Sequence, residues 1–388
     1  MSGRRYNLTW MLAAGFLAAC GVVFVAAPRN ESPKAPVVPK KASERAVATG
    51  KDVPSPWRVA WRVQAGERPG RPSRMLPEGW IVTGRDGTVT ALSGTGASLW
   101  RTALTNQSFE GAAAVGKELA VVASLQGDVT ALRCGDGGVA WTVKADARFQ
   151  HRPLAGTLAG GEPVVWLVSQ ADGSLFCFRS LDGGLVWKGE ATNRCDGDPA
   201  VVSDGKIAYG NCDGAVYVFS GETGALAGSV AVGDSDQMAG GMLALEGGVV
   251  CAGTRQGNLV AVDVERLKLL AQVQVSVEEA FLAPVRLPDG IVAMGNREGD
   301  LSFWRLEGDT FRAEGRVSLG VPVEQLDSFG GRLFALAGGK LAVIDARDAV
   351  PTLIALGDDV YGLTARGRDS VVCVADGMVV CIERDSAK

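Results

Sequence analysis

The chain has 388 residues, of which 47% are hydrophobic, 6% are aromatic and 52 are glycine, and its formal net charge is −4. Residues 1–52 hold 8 Lys and Arg against 3 Asp and Glu, which leaves 31 against 40, a net charge of −9, for residues 53–388. An acidic body argues against nucleic acid as a partner. The glycine content favours many short strands joined by tight turns in one large domain.

The first predicted element is a membrane anchor helix within residues 1–27. Arg4 and Arg5 precede an uncharged run at 8–27. Its 20 residues, at about 1.5 Å rise each, can cross a bilayer core of roughly 30 Å. Positive charge on the amino side places the rest of the chain outside the cytoplasm.

Two alternatives to an uncleaved anchor stay open. Residues 17–20, Leu-Ala-Ala-Cys, resemble a bacterial lipobox, which would be cut before Cys20 and leave that cysteine lipidated. Residues 21–27 stay apolar, however, where lipoproteins usually turn polar. The second alternative is ordinary secretion after cleavage of a signal peptide. We expect the uncleaved anchor, which holds the protein at the inner membrane, whereas lipidation would make it an outer-membrane lipoprotein.

A flexible linker is predicted at residues 28–56, and the globular domain at 57–388. The linker is rich in Pro, Lys, Ala and Ser and has almost no large apolar residue. Such a segment cannot bury enough surface to offset its chain entropy, so we expect an extended tether.

The remainder of the chain is a series of repeats, each marked by a glycine in a tight turn between two apolar strands. The glycines are Gly87, Gly127, Gly173, Gly214, Gly257, Gly299, Gly339 and Gly377. Their spacing of 38 to 46 residues suits one four-stranded propeller blade and is too short for a parallel βαβ array with ordinary loops. The sequence therefore predicts an all-β, eight-bladed propeller.

The first three repeats share a further pattern, an apolar pair followed eight or nine positions later by a tryptophan. The pairs are Ala91-Leu92, Ala131-Leu132 and Cys177-Phe178, and the tryptophans are Trp100, Trp141 and Trp187. This pattern resembles the PQQ-type propeller repeat, which implies that each tryptophan packs between adjacent blades. In later repeats Gly228, Ala271 and Ala313 occupy the position of the tryptophan.

Closure of the ring is predicted from its two ends. Residues 57–63 look like a fourth strand with no preceding repeat, while the last repeat stops after its third strand, at residues 378–383. Pairing these two segments completes the eighth blade and removes two exposed sheet edges.

Catalytic and metal-binding patterns are weak. The single histidine, His151, has no evident partner for nucleophilic catalysis, and no Cys-x-x-Cys occurs, so neither a zinc cluster nor another metal site is expected. The enzyme alternative is a relative of PQQ-dependent dehydrogenases, but those use adjacent paired cysteines, which this chain lacks. We therefore expect no cofactor and no enzymatic activity.

A disulfide is predicted between Cys195 and Cys212. In a propeller, the loops that lead into first strands and the turns that join second to third strands lie on one face. Cys195 precedes the first strand of blade 4, and Cys212 lies in its second-to-third turn. An oxidising compartment would favour the bond.

The combination of a tether, an acidic body and eight PQQ-type repeats resembles the BamB family of scaffold lipoproteins in outer-membrane β-barrel assembly. In that family, loops that enter the third and fourth blades contact the partner BamA through an arginine and an Asp-x-Asp. The matching residues here are Arg148, Asp196 and Asp198. The resemblance implies a monomeric, non-catalytic scaffold on the periplasmic face of the envelope, with a BamA-like partner. The alternative is an inner-membrane-tethered scaffold or sensor subunit of another envelope complex.

Overall fold

The computed structural model describes residues 56–75, 79–104, 109–202, 205–233, 236–238, 240–345 and 350–385. The predicted anchor with Cys20, and the predicted linker up to residue 55, lie outside these ranges. Within them, no helix is long and apolar enough to span a membrane.

The described residues form 32 strands arranged in eight antiparallel sheets of four, the blades of a propeller. The first strand is β1 (Trp57–Val63). Blade 1 contains β2 (Ser73–Met75), β3 (Gly79–Thr83), β4 (Thr88–Ser93) and β5 (Ser98–Ala103). Blade 2 contains β6 (Phe109–Val115), β7 (Leu119–Ser124), β8 (Asp128–Arg133) and β9 (Val139–Lys144). Blade 3 contains β10 (Leu154–Thr157), β11 (Pro163–Val168), β12 (Leu175–Arg179) and β13 (Leu185–Gly189).

The remaining blades repeat this order of strands. Blade 4 contains β14 (Ala200–Val201), β15 (Lys206–Gly210), β16 (Ala215–Ser220) and β17 (Leu226–Ala231). Blade 5 contains β18 (Leu243–Ala244), β19 (Val249–Gly253), β20 (Asn258–Asp263) and β21 (Lys268–Gln274). Blade 6 contains β22 (Val285–Arg286), a 3-10 turn (Pro288–Gly290), β23 (Ile291–Gly295), β24 (Asp300–Glu307) and β25 (Thr310–Ser318). Blade 7 contains β26 (Val323–Phe329), β27 (Arg332–Ala337), β28 (Lys340–Asp345) and β29 (Thr352–Ala355). Blade 8 contains β30 (Val360–Gly367), β31 (Ser370–Ala375) and β32 (Met378–Arg384), followed in space by β1.

The predicted closure of the ring is confirmed. Strand β1 pairs antiparallel with β32, from Trp57 opposite Arg384 to Val63 opposite Val379. The amino-terminal strand is thus the outer strand of blade 8. The eight turn glycines also behave as predicted, since each lies between the second and third strands of its blade and has a φ between 72° and 89°. Only glycine adopts this left-handed region readily.

The core is divided among the seams between blades. The described residues form eight hydrophobic clusters, one for each pair of neighbouring blades around the ring. Successive side chains of a strand point to opposite faces of the sheet. Each strand therefore contributes side chains to the clusters on both sides of its blade. In β31, Val371 and Cys373 pack towards blade 7, whereas Val372 packs towards blade 1. Each blade therefore buries apolar side chains against both of its neighbours.

Tryptophans pack against glycines at four consecutive seams, as the resemblance to PQQ-type repeats implied. A Cβ added to Gly137 of blade 2 would lie 2.4 Å from Cε3 of Trp100 in blade 1. This glycine leaves room for the indole, whose N–H donates to the carbonyl of Cys134 at 2.7 Å. Equivalent contacts join Trp61 to Gly96, Trp141 to Gly183 and Trp187 to Gly224.

At the seam between blades 4 and 5, the large and the small residue of this contact have changed places. Gly228 lies opposite Val218 in the register that places Trp187 opposite Cys177, so it occupies the position predicted for a lost tryptophan. The residue facing it from blade 5 is Leu267 in place of glycine, and a Cβ added to Gly228 would lie 2.4 Å from its Cδ1. A small residue on one side is thus matched by a larger one on the other.

Candidate functional site at the entry face

The three residues predicted to contact a partner lie in two loops at one face of the ring. We call it the entry face, because the innermost strand of each blade begins there. Arg148, in the loop before β10, is exposed. Asp196 and Asp198, in the loop before β14, are partly buried. The loops are neighbours because they lead into blades 3 and 4.

Gln170, in the turn between β11 and β12, ties these two loops together. Its backbone N–H donates to the carbonyl of Arg148 at 2.7 Å, and its side-chain amide donates to Oδ1 of Asp196 at 3.2 Å. Its own carbonyl accepts from the backbone N–H of Cys195 at 3.1 Å. One residue therefore sets the spacing of the loops that carry Arg148 and Asp196.

Asp196 is held as a carboxylate within this network. Arg194 donates to its Oδ1 from Nε at 2.6 Å, and the thiol of Cys212 donates to its Oδ2 at 3.3 Å. Burial would raise the pKa of Asp196, but the hydrogen bonds from Arg194, Cys212 and Gln170 hold it below the usual 3.8. We therefore expect a charged Asp196 on the entry face at neutral pH.

Asp198 pairs with His151, which lies in the loop before β10. The distance from Oδ1 of Asp198 to Nδ1 of His151 is 3.3 Å. The other ring nitrogen of His151, Nε2, lies 3.1 Å from the carbonyl oxygen of Cys195. The sequence analysis found no evident partner for nucleophilic catalysis by His151; the partner in the structure is a carboxylate 47 positions away in sequence, which the fold of the propeller brings to it. Both nitrogens face acceptors, which is the arrangement of a doubly protonated imidazolium.

The charges of this pair follow from their contacts. Burial would lower the pKa of His151, but its interactions with the side chains of Asp198 and Cys195 raise it to about 10. Burial would raise the pKa of Asp198, but His151 and the positive charges of Arg152 and Arg71 lower it to about 2. The pair is therefore an ion pair at neutral pH, and His151 is not available as a general base.

A cavity of about 340 Å³ opens beside this ion pair. Its walls come from six of the eight blades, so it lies at the centre of the ring, and we call it the axial cavity. It is lined by Arg71, Arg85, Gln150, His151, residues 196–198, Gly241, residues 281–283 and residues 324–326. Arg71 is fixed there by the carbonyl of Leu363 at 2.7 Å and by Asp327 at 3.4 Å. The lining is mixed in charge, with apolar residues such as Phe281 on the side of blades 6 and 7.

The disulfide predicted between Cys195 and Cys212 is absent from this structure, in which both residues are free thiols. The two segments do come together, since the N–H of Cys212 donates to the carbonyl of Arg194 at 3.0 Å. The sulfurs, however, point to different acceptors. Cys195 is fully buried in the seam between blades 3 and 4 and donates to the carbonyl of Gly197 at 3.4 Å, whereas Cys212 donates to Asp196.

Residue patterns did not single out Gln170, and they gave His151 no role. Gln170 follows a buried strand at a turn, where a polar residue is ordinary. Its three hydrogen bonds reach residues 22, 25 and 26 positions away, and no local spacing signals them. In the described part of the chain, no group of three or more His, Cys, Asp or Glu is placed to hold a metal ion.

Comparison with known proteins agrees with this architecture. A family model described as outer membrane protein assembly factor BamB matches residues 85–313, more than half of the chain. A comparison with curated protein sequences gave no match.

Three solved structures with the same fold illustrate how far sequence has diverged. BamB from Moraxella catarrhalis is 16% identical with a TM-score of 0.68, covering 86% of this chain and 99% of that one. The computationally designed protein Ika8 is 16% identical with a TM-score of 0.68, covering 83% and 99%. Sqt1 from Saccharomyces cerevisiae is 15% identical with a TM-score of 0.66, covering 84% and 96%. Similarities at this level of identity establish the propeller fold alone.

Proposed function

Since the chain belongs to the family of the outer membrane protein assembly factor BamB, we propose that it is a non-catalytic scaffold for protein–protein interaction in the bacterial cell envelope. A closed ring of sheets presents loops from a fixed frame, which suits recognition better than a mobile surface does. The residue best suited to acid–base chemistry, His151, is held in an ion pair with Asp198, which supports a binding role.

The observation that carries this proposal is the bridge made by Gln170 at the entry face. It links the backbone of Arg148 to the carboxylate of Asp196. The two loops that carry the exposed Arg148 and the charged Asp196 are thus held at a fixed spacing. Preorganised charges of opposite sign form strong, directional hydrogen bonds that fix the register of a partner.

The partner that we propose is a BamA-like component of the β-barrel assembly machinery. The support is the family membership together with the positions of Arg148 and Asp196 in the loops that enter blades 3 and 4. Asp198 has a different part in this proposal. Because it is paired with His151 inside the ring, it supports the loop and does not contact the partner.

We further propose that the propeller faces the periplasm and is tethered to the inner membrane through residues 1–27. The support is the length of the uncharged run at 8–27, which continues past Cys20 and is long enough to cross a bilayer. This run also favours the second candidate function, a tethered scaffold or sensor subunit of another inner-membrane complex. Separation of membranes by density decides between the locations, since a lipidated Cys20 would take the protein to the outer-membrane fraction.

Charge reversal at the entry face tests the proposed interaction. We expect Arg148→Glu, alone or with Asp196→Arg, to reduce crosslinked capture of a β-barrel assembly component by about tenfold or more, because like charges would then face each other. The melting temperature should hardly change in Arg148→Glu, since an exposed charge contributes little to folding.

The matched control is Arg133→Glu, which reverses an exposed arginine on the opposite face of blade 2. Capture should be unchanged in this variant. Undiminished capture by both entry-face variants would remove Arg148 and Asp196 from the interface. Capture of an unrelated inner-membrane complex, sensitive to the same variants, would support the second candidate function.

A further inference from the structure

The axial cavity has two unlike walls, which meet at Gly241. The wall from blades 3 and 4 is charged and contains the ion pair of His151 and Asp198. The wall that leads into blade 6 is apolar and consists of residues 281–283. A Cβ added to Gly241 would lie 3.0 Å from Cβ of Ala283 and 3.4 Å from Cβ of Asp198. A larger residue at Gly241 would press against both walls, so glycine keeps this corner of the cavity open.

The apolar wall contains an aromatic ring that the core does not use. Leu282 and Leu326 line the cavity and also pack in the hydrophobic cluster between blades 6 and 7. Phe281 is partly exposed, and it belongs to none of the eight clusters that the described residues form. Contact with an apolar group in the cavity would remove this ring from water, which is favourable.

Glu324, in β26, provides a hydrogen-bond acceptor on the same lining. Its side chain makes no hydrogen bond and no ion pair with another residue in the described part of the chain. Burial and the negative charge of Asp359 raise the pKa of Glu324, the direction expected of a carboxylate whose charge no neighbour compensates. An ionised carboxylate accepts hydrogen bonds and cannot donate them. Glu324 is therefore free to bind an N–H or O–H donor.

The charges on the lining balance overall. The lining holds three cations and three carboxylates, which are Arg71, Arg85 and His151 against Asp196, Asp198 and Glu324. A charged occupant would leave one charge without compensation in a partly enclosed site, which is unfavourable, whereas a neutral occupant keeps the balance. The occupant that fits is therefore uncharged, with an apolar body for residues 281–283 and one donor for Glu324.

We propose that the axial cavity receives the indole side chain of a tryptophan from the protein that binds the entry face, an inference that rests on the proposed scaffold function. An indole is neutral and apolar, and its single N–H donates without bringing an acceptor that needs a partner. The cavity is continuous with the proposed interface, because Asp196 belongs to both. Its volume of about 340 Å³ suits one large side chain, and aromatic anchors in central pockets supply much of the binding energy of interfaces.

N-acetyl-tryptophanamide is the probe for this site, titrated into the purified full-length protein while the methyl NMR signals of Leu282 and Leu326 are followed. We expect saturable shifts of both signals. N-acetyl-tyrosinamide should bind several-fold more weakly, because its oxygen also accepts hydrogen bonds, while the nearby donors Arg71 and His151 are already paired with carboxylates. N-acetyl-alaninamide, which lacks a ring, should give no saturable shift.

A probe methylated on the indole nitrogen tests the role of Glu324. It lacks the N–H donor, so the unaltered protein should bind it about tenfold more weakly than the parent probe. Glu324→Gln keeps the shape of the side chain but removes its charge, and the difference between the two probes should shrink in this variant. An undiminished difference in Glu324→Gln would contradict the proposed hydrogen bond.

Ala283→Trp fills the cavity with an indole of the chain itself. It should abolish the response to the probe and reduce capture of the β-barrel assembly component by about tenfold or more. The matched control is Ala97→Trp, which adds the same side chain to an exposed position in the turn between β4 and β5, on the face opposite the entry face. Probe binding and capture should be unchanged in the control, and circular dichroism should show the same fold in both variants.

A second variant, Phe281→Ala, removes the ring without filling the cavity and should weaken binding of the probe by about tenfold. The proposal fails if the probe gives no saturable shift in the unaltered protein. It also fails if Ala283→Trp blocks the probe but leaves capture undiminished while Arg148→Glu still reduces capture. In that case the scaffold function stands and the assigned occupant is wrong. Failure of the proposed function shows separately, as capture that neither entry-face charge reversal reduces, and the probe titration does not depend on it.

Discussion

The guanidinium of Arg332 lies over the indole of Trp57, with Cζ 5.2 Å from the centre of the ring. Arg332 is only 1% exposed. Its Nη1 donates to Asp369 of blade 8 at 2.6 Å, and its Nη2 donates to Asp345 of blade 7 at 2.9 Å. A single side chain thus joins two blades to the amino-terminal strand, at the place where the ring is closed.

We predict that Arg332→Ala destabilises the propeller by about 2–4 kcal/mol. The variant loses a desolvated cation–π contact and several charge-assisted hydrogen bonds, although Asp345 and Asp369 remain partly hydrated. The control is Arg368→Ala, which removes an arginine 59% exposed and 3.4 Å from Asp345, and which should cost less than about 0.5 kcal/mol. Urea unfolding measures both. Equal losses in the two variants would contradict the role assigned to Arg332.

Removal of β1 should open the ring. A chain that begins at Gly66 lacks the outer strand of blade 8 and the buried Trp57, whose loss alone should cost about 3–5 kcal/mol. It also exposes the edge of β32, which invites pairing between molecules. We expect a lower melting temperature and self-association in size-exclusion chromatography, compared with a chain that begins at Pro56. A monomer that melts at an unchanged temperature would show that closure contributes nothing.

The ion pair of His151 and Asp198 should give stability a defined pH dependence. The folded pKa of His151 is about 10 against an ordinary 6.5, so its contribution is complete below pH 6.5 and is lost as the pH rises towards 10. The folded pKa of Asp198 is about 2 against 3.8, so its contribution is lost as the pH falls below about 4. Between about pH 4 and about pH 6.5 the pair therefore stabilises the fold fully.

Unfolding free energies measured from pH 6 to 7.5 test this behaviour. They should fall by at most about 1.4 kcal/mol per pH unit in the unaltered protein and should stay nearly flat in His151→Gln. At pH 7.5 only about 3% of thiols with the ordinary pKa of 9.0 are ionised in the unfolded chain, so the cysteines contribute little to the slope in this window. An equal slope in His151→Gln would assign the dependence to other groups.

At Leu267 we expect the glycine variant to be more stable than the alanine variant, which is the reverse of the usual order. Leu267 has a φ of 50°, a left-handed conformation that costs a residue with a Cβ about 1–2 kcal/mol. Leu267→Ala loses the contact with Gly228 but keeps this strain, whereas Leu267→Gly relieves it. Leu267→Gly should therefore be the more stable variant by about 1 kcal/mol in urea unfolding. A less stable glycine variant would show that the backbone there is unstrained.

The fold could be predicted because its signals are local and repeated. A glycine such as Gly87 marks a turn through its own backbone conformation, and eight such turns at one spacing define the blades. Closure was predictable as well. The segment around Trp57 is a fourth strand without a blade, and the last repeat is a blade without a fourth strand. These inferences need no knowledge of side-chain direction.

The details of the candidate site depend on side-chain direction and on contacts between blades. Asp196 and Asp198 look alike in an Asp-Gly-Asp turn, yet one faces the entry face and the other faces His151 across a blade boundary. The thiols of Cys195 and Cys212 similarly lie on neighbouring segments but point apart. Such choices are made by packing within the assembled ring, which residue spacing does not encode.

The pairing of β1 with β32 also determines when, during synthesis of the chain, the contacts of β1 form. Arg58 and Asp385, which form a hydrogen bond across this pair, are 327 positions apart. At a synthesis rate of about 5–20 residues per second, β32 is made roughly 16–65 s after β1. The indole N–H of Trp61, in contrast, donates to Gly94 only 33 positions away, a contact available within roughly 2–7 s. The first strand can therefore be held against blade 1 while the rest of the ring is made.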